Sequence, residues 1–261
     1  MLLIKDIVLK VSYIIPLLMV LSTVFVVDHD LTNPTITGKY FCFYISMAMV
    51  SISTMLLLWK YKKCIVISII DFVVLMFVAY NIILNSYLFD RIGLKFILFV
   101  LAGVLYFYFR IAFVSRDIQR WIGVFFIITG FIEAAWGLGQ LYGLLSSFHE
   151  SFKITGSFYN PGPYSGYLAV VFPFALYYLL QDFSVVLRRR NRRFTFFYFR
   201  WFVSLLTLSL IFVILPAGMS RASWLSVLIG SLFVCVFYLK SSQKDLWKSI
   251  KKTISKTNIR L

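Results

Sequence analysis

The chain reads as eight long apolar runs separated by short polar breaks. The runs cover about residues 7-27, 40-59, 65-84, 93-113, 121-145, 164-183, 201-219 and 222-239. A helix needs about 20 apolar residues to cross the hydrocarbon core of a bilayer, and each run comes near that length. A membrane β-barrel would alternate apolar and polar residues over segments of about ten. These runs do not alternate, so the pattern predicts an all-α, polytopic transmembrane helical bundle of about eight helices. The first run is long for a signal peptide and is followed by no small-x-small cleavage site, so it is kept as a spanning helix. No internal repeat or soluble domain stands out. Residues 1-261 are expected to form a single membrane-embedded domain ending in a basic tail over 240-261.

The breaks carry the sidedness. Lys60-Tyr61-Lys62-Lys63, Arg110 to Arg120, Arg188 to Arg200 and the tail from Lys240 are basic. With the N-terminus in the cytoplasm, the cytoplasmic segments hold 21 of the 26 Lys and Arg residues. The opposite face holds only Lys39, Arg91, Lys95, Lys153 and Arg221. The positive-inside rule predicts this imbalance and puts both termini in the cytoplasm.

Composition agrees with the pattern. Hydrophobic residues make up 61% of the chain and charged residues 14%, where a soluble domain carries about 25% charge. Mean hydropathy is +0.89. The net charge of +16 follows from the topology and faces anionic lipid headgroups, so no nucleic-acid partner is expected. Cys42, Cys64 and Cys235 lie in or beside apolar runs without paired spacing for metal or disulfides and read as packing residues.

Ionisable groups inside a span cost about 2.5–3.5 kcal/mol at its centre on insertion scales, so each needs a reason. Asp71 falls about two turns into the third run, and either pairs with a nearby cation or lines a pathway. Glu133 falls near the middle of the fifth, on one helix face with Trp136 and Gln140. That stripe reads either as a buried hydrogen-bond network or as part of a site. Asn160-Pro161-Gly162-Pro163 cannot continue a helix, and Pro163 suits the first turn of the next one. The segment 146-163 therefore predicts a rigid polar elbow at the mouth of the bundle, with backbone N–H groups suited to an anion. Arg221, beside Ser220 and directly before a helix, suits a diphosphate or carboxylate, or else reaches lipid headgroups. His149 beside Glu150 is a weak candidate base. The sequence holds no metal-ligand cluster, nucleotide loop or nucleophile–base triad, and no cofactor is expected.

Three stretches together resemble the O-antigen ligase and O-antigen polymerase-like family of bacterial membrane proteins. Glu133-Ala134-Ala135-Trp136-Gly137-Leu138-Gly139-Gln140 looks like the family's helix ending in Gly-x-x-Gln. Gly156-Ser157-Phe158-Tyr159-Asn160-Pro161, followed by Ser165-Gly166-Tyr167, is similar to its Gly-x-Phe-x-Asn-Pro signature. Met219-Ser220-Arg221-Ala222-Ser223-Trp224-Leu225 looks like its Ser-Arg-(small)-x-Trp-Leu element. The match covers about residues 120-240.

The resemblance implies a metal-independent, GT-C-like glycosyltransferase, multi-pass in the bacterial inner membrane. Its donor would be an undecaprenyl-diphosphate-linked glycan at the periplasmic face, and its acceptor another glycan, lipid A–core or a protein. Arg221 would neutralise the departing diphosphate as the catalytic residue. Gly156, Asn160, Pro161, Ser220, Gln140 and Glu133 would form the substrate-binding surroundings. Family members continue into a large periplasmic loop with a further arginine and histidine, so the resemblance also implies that these 261 residues are an N-terminal portion, inactive alone. His149 does not match the family's histidine. Two other readings of the residues stay open: a transporter or lipid-handling protein in which Asp71 and Glu133 line a pathway, and a non-catalytic remnant.

Overall fold

The computed structural model describes residues 14–61, 67–88, 93–112, 116–188, 196–218 and 220–257. Every regular element among them is helical. In chain order these are α1 (Ile14–Phe25, closing in a 3₁₀ turn at Thr23–Phe25), α2 (Thr37–Tyr61), α3 (Ile69–Leu88) and α4 (Leu94–Ala112). They are followed by α5 (Arg116–Leu141), α6 (Pro161–Arg188), α7 (Phe196–Ala217) and α8 (Arg221–Thr257). Among the described residues six helices, α2, α3 and α5 to α8, are long and apolar enough to cross a membrane. For the expected first and fourth spans the described residues show shorter apolar helices, Ile14–Phe25 and Phe96–Ile111. The architecture is that of a multi-pass membrane protein in contact with lipid. The start of the first expected span, Cys64, Met219 and the basic residues at 62–63, 189–190 and 192–193 lie outside the described residues.

The chain divides into two compact units, Met1–Phe125 and Phe126–Leu261. In the first, α2 packs on α4 around Leu17, Met47, Val50, Leu57, Tyr108 and Ile111. The helix α3 shows lipid almost all its surface, with 6% of its spanning stretch buried. A capping box starts it. Ser68 Oγ accepts from the Asp71 N–H at 3.2 Å, and the Asp71 carboxylate accepts from the Ser68 N–H at 2.7 Å. Asp71 thus sits in the first turn of the helix and not two turns in, since the helix begins at Ile69. Its other oxygen accepts from Tyr106 Oη at 2.9 Å and Arg110 Nε at 3.1 Å on α4. The carboxylate closes a helix end and an ion pair at once.

In the second unit α6 is the hub, with α7 and α8 both packed along it. Its core gathers Ala134, Ile154, Tyr164, Leu168, Val171, Ile211, Ile214 and Leu215. Pro173 lies inside α6; such a proline is tolerated in a membrane helix where neighbours cover the freed carbonyl, and here Gly230 of α8 comes against its ring. Gly130 of α5 meets Val171 where a side chain would stand, and Gly230 lies close against Pro173. The last hairpin is a pair of full-length helices. Helix α7 ends at Ala217 just after Pro216, the chain turns at Gly218, and α8 starts at Arg221 and runs on through the basic segment to Thr257.

The α6–α7 hairpin is fastened by a pair that no sequence motif announced. Arg200 grips Asp182 through Nε and Nη2, both at 2.6 Å, with both side chains buried, and its guanidinium lies 4.3 Å from the Tyr178 ring centre. Leaving one member of a buried pair uncompensated costs about 3–5 kcal/mol. Arg200→Met should lower stability by that amount in thermal unfolding of the detergent-solubilised protein. The double change Arg200→Met with Asp182→Leu should recover most of it.

Candidate functional site

The site is built on the end of α5. The helix stops in a Schellman motif. The Leu144 N–H reaches back to Gly139 O at 2.8 Å and the Gly143 N–H to Gln140 O at 3.2 Å, with Gly143 left-handed at φ 75°. The expected span to 145 therefore ends at Leu141, and residues 142–160 form a connecting loop. A buried loop backbone must find partners for its N–H and C=O groups, and Gln140 supplies them. Its Oε1 accepts from the N–H groups of Thr155 and Gly156, each at 2.8 Å. Its Nε2 donates to the carbonyls of Ser146 and Gly156, each at 3.1 Å. One amide thus stitches both arms of the loop to the helix.

Glu133 lies seven residues back on the same face, fully buried, and its Oε2 accepts from the Ser157 N–H at 3.1 Å. Tyr164, in the first turn of α6, completes the knot. Its hydroxyl donates to the Glu133 carbonyl at 3.1 Å and lies where a side chain on Gly137 would stand. Gly156 is held at φ 56°, facing the Tyr164 ring and the Glu133 carboxylate. Neither its conformation nor its space admits a side chain.

Farther out, His149 is clasped between Phe152 and Tyr159, with ring centres 4.7 and 4.9 Å away. The Ser151 N–H donates to its Nδ1 at 3.0 Å. A recess of about 410 Å³ opens beside this cluster, between the end of α5 and residues 147–153. Asn160 and Pro161 are less buried, at the point where α6 begins; Pro161 and Pro163 both fall in its first turn. Ser165 then faces the α7–α8 turn: its hydroxyl donates to the Gly218 carbonyl at 3.4 Å, against the bare Cα of Gly218. Ser220 opens α8 by accepting from the Ser223 N–H at 3.4 Å, its hydroxyl 2.9 Å from that of Ser223. Arg221, the first residue of α8, is exposed.

Glu133, Gln140 and Gly156 therefore meet directly. Pro161 and Asn160 adjoin them through the start of α6, and Ser220 with Arg221 is tied to the same end of this unit through Ser165 and Gly218. Tyr164, Thr155, Ser157 and Gly143 do as much to build the site, and sequence reasoning passed over them. Only the Gly143 signal, a glycine just past an apolar helix, was there to be read. Among the described residues no group of three or more His, Cys, Asp or Glu side chains is placed to hold a metal ion. No family model, curated protein or solved structure matches the chain.

The knot has a direct test. Gly156→Ala forces a left-handed alanine, worth about 1–2 kcal/mol, into occupied space. Gly137→Ala displaces the Tyr164 ring, an overpacking worth about 1–3 kcal/mol. Each should lower the unfolding temperature in detergent, while Gly162→Ala, with nothing near its Cα, should leave it unchanged.

Proposed function

We propose that the protein handles undecaprenyl-diphosphate-linked glycans at the periplasmic face of the bacterial inner membrane, in the manner of O-antigen ligases and polymerases. One observation supports this most. The stretches around Gln140, Gly156–Pro161 and Ser220–Arg221 are far apart in sequence, yet they gather at one end of the second unit. In this reading the N- and C-termini are cytoplasmic, by the charge imbalance, and that end of the unit faces the periplasm. The bundle would be GT-C-like.

The roles follow from the chemistry. Arg221, exposed at a helix start, binds the diphosphate bidentately and offsets the charge that develops on it as it leaves. Ser220 fixes the helix start that carries it. Asn160 and Pro161 present the first turn of α6 to the donor. Gln140, Glu133 and Gly156 hold the loop, apart from the diphosphate; they are positioning residues. In the reaction the acceptor hydroxyl oxygen bonds to the anomeric carbon, the carbon–oxygen bond to the diphosphate breaks with its electron pair leaving on the lipid diphosphate, and the hydroxyl proton passes through water to that departing diphosphate. His149 does not take that proton. Its Nδ1 already accepts from Ser151, so the neutral ring carries its hydrogen on Nε2.

A transporter reading has less support. Asp71 is occupied with Ser68, Tyr106 and Arg110, and Glu133 is buried against Ser157.

Arg221→Ala, expressed at normal level in the native host, should reduce the lipid-linked glycan transferred to surface acceptor by about 100-fold or more, the scale on which removal of one charge-stabilising donor acts. An unchanged surface-glycan ladder on gel electrophoresis would end the assignment. For the sidedness, a cysteine introduced at exposed Glu150 should react with a membrane-impermeant maleimide in intact spheroplasts, and one at exposed Lys240 only after lysis. The reverse pattern would invert the topology.

A further inference from the structure

The recess beside His149 belongs to none of the residues given a role above except Gln140, and its lining is chemically specific. Gln140, Ser147, His149, Glu150, Phe152 and Lys153 contribute to it. Its volume of about 410 Å³ falls within the range of about 300–1,000 Å³ for small-molecule sites. Three properties narrow the ligand. First, the walls are held in advance of any occupant. The loop is pinned by Gln140, the Ser147 hydroxyl lies 3.2 Å from that of Thr155 and accepts from the His149 N–H at 3.2 Å, and two aromatic rings clasp the imidazole. Second, the bond from the Ser151 N–H to Nδ1 makes His149 a fixed Nε2–H donor. Third, the charges interleave and balance: Glu150 accepts, Lys153 and His149 donate, and the half-exposed Phe152 ring offers an apolar face.

The balanced charges of Glu150 and Lys153 give an anion no net attraction, and an acyl chain would leave the polar lining without partners. A ring bearing hydroxyls at its edges and C–H bonds on its faces satisfies donor, acceptor and aromatic surface together. We propose that this recess holds one saccharide unit of the glycan, apart from the diphosphate region at Arg221, and selects which glycan is used. The proposal rests on the function inferred above and adds to it a site for the sugar.

Binding to the full-length protein in detergent tests it, with two probes: oligosaccharide released by mild acid from the host's surface glycan, followed by saturation-transfer NMR, and undecaprenyl diphosphate, followed by native mass spectrometry. Lys153→Ala and Glu150→Gln alter exposed side chains, and Phe152→Ala removes the apolar face. Each should weaken oligosaccharide binding about tenfold, the equivalent of one good polar or stacking contact, and leave undecaprenyl diphosphate binding unchanged, with the unfolding temperature also unchanged for Lys153→Ala and Glu150→Gln. Oligosaccharide binding that is equal in all variants, or absent while the lipid diphosphate still binds, overturns the recess as a sugar site and spares the wider reading. Failure of the unaltered protein to bind either probe overturns both.

Discussion

Next to a membrane, backbone N–H and C=O groups that leave a helix must be satisfied from within the protein, because hydrocarbon offers them nothing. The loop between α5 and α6 depends on how that demand is met. The amide of Gln140 can answer it twice over, since it both accepts and donates. Placed one residue before the end of α5, it takes two N–H groups on one atom and gives two hydrogens from the other. A carboxylate there could only accept, and a lysine could only donate. Glu133 serves as an acceptor, its Oε2 taking the N–H of Ser157.

The same demand explains where the charges went. Among the described residues Asp71, Asp182 and Glu133 are the buried acids, and each accepts a hydrogen bond. Two answer cations on a neighbouring helix near a helix end, Arg110 and Arg200. The third answers main chain. Charge within the spans thus fixes the α3–α4 and α6–α7 hairpins, and leaves Arg221 as an exposed cation at a helix start. That contrast, more than the residue's identity, makes Arg221 stand out from the arginines that fasten helices.

The apolar runs made the helices legible, and their ends were legible wherever a residue type forces a stop. Pro161 and Pro163 gave the start of α6 to within three residues, and Pro216 with Gly218 gave the α7–α8 turn. The end of α5 was misplaced by four residues because Tyr142, Leu144 and Leu145 continue the apolar run; the Schellman turn at Gly143 is local geometry that hydropathy does not register. The Glu133–Gln140 spacing placed both side chains on one face, which the structure bears out, but what they face was not readable. Their partners are backbone atoms of Thr155, Gly156 and Ser157, and a backbone atom leaves no trace in a residue alphabet. The Arg200–Asp182 pair was hidden differently. Arg200 looked like one more member of a basic connecting segment, and only the turn of α7 that contains it brings it back onto α6.

The packing of α8 bears on the exposed arginine. Only 6% of its spanning stretch is buried, and a line of small or slender residues, Ser223, Val227 and Gly230, falls on one side of it at helical spacing. Gly230 meets Pro173 and Val227 joins the α6 core. Small residues let membrane helices approach closely, and van der Waals contact then holds them where no hydrophobic drive exists. Helix α8 is therefore set by a narrow seam on α6, and the seam ends at Ser223, bonded to Ser220, one residue before Arg221. The position of the guanidinium is thus tied to α6, the helix whose first turn carries Tyr164 into the Gln140 knot. Loop, helix start and arginine share one support, so a disturbance of that helix reaches all three.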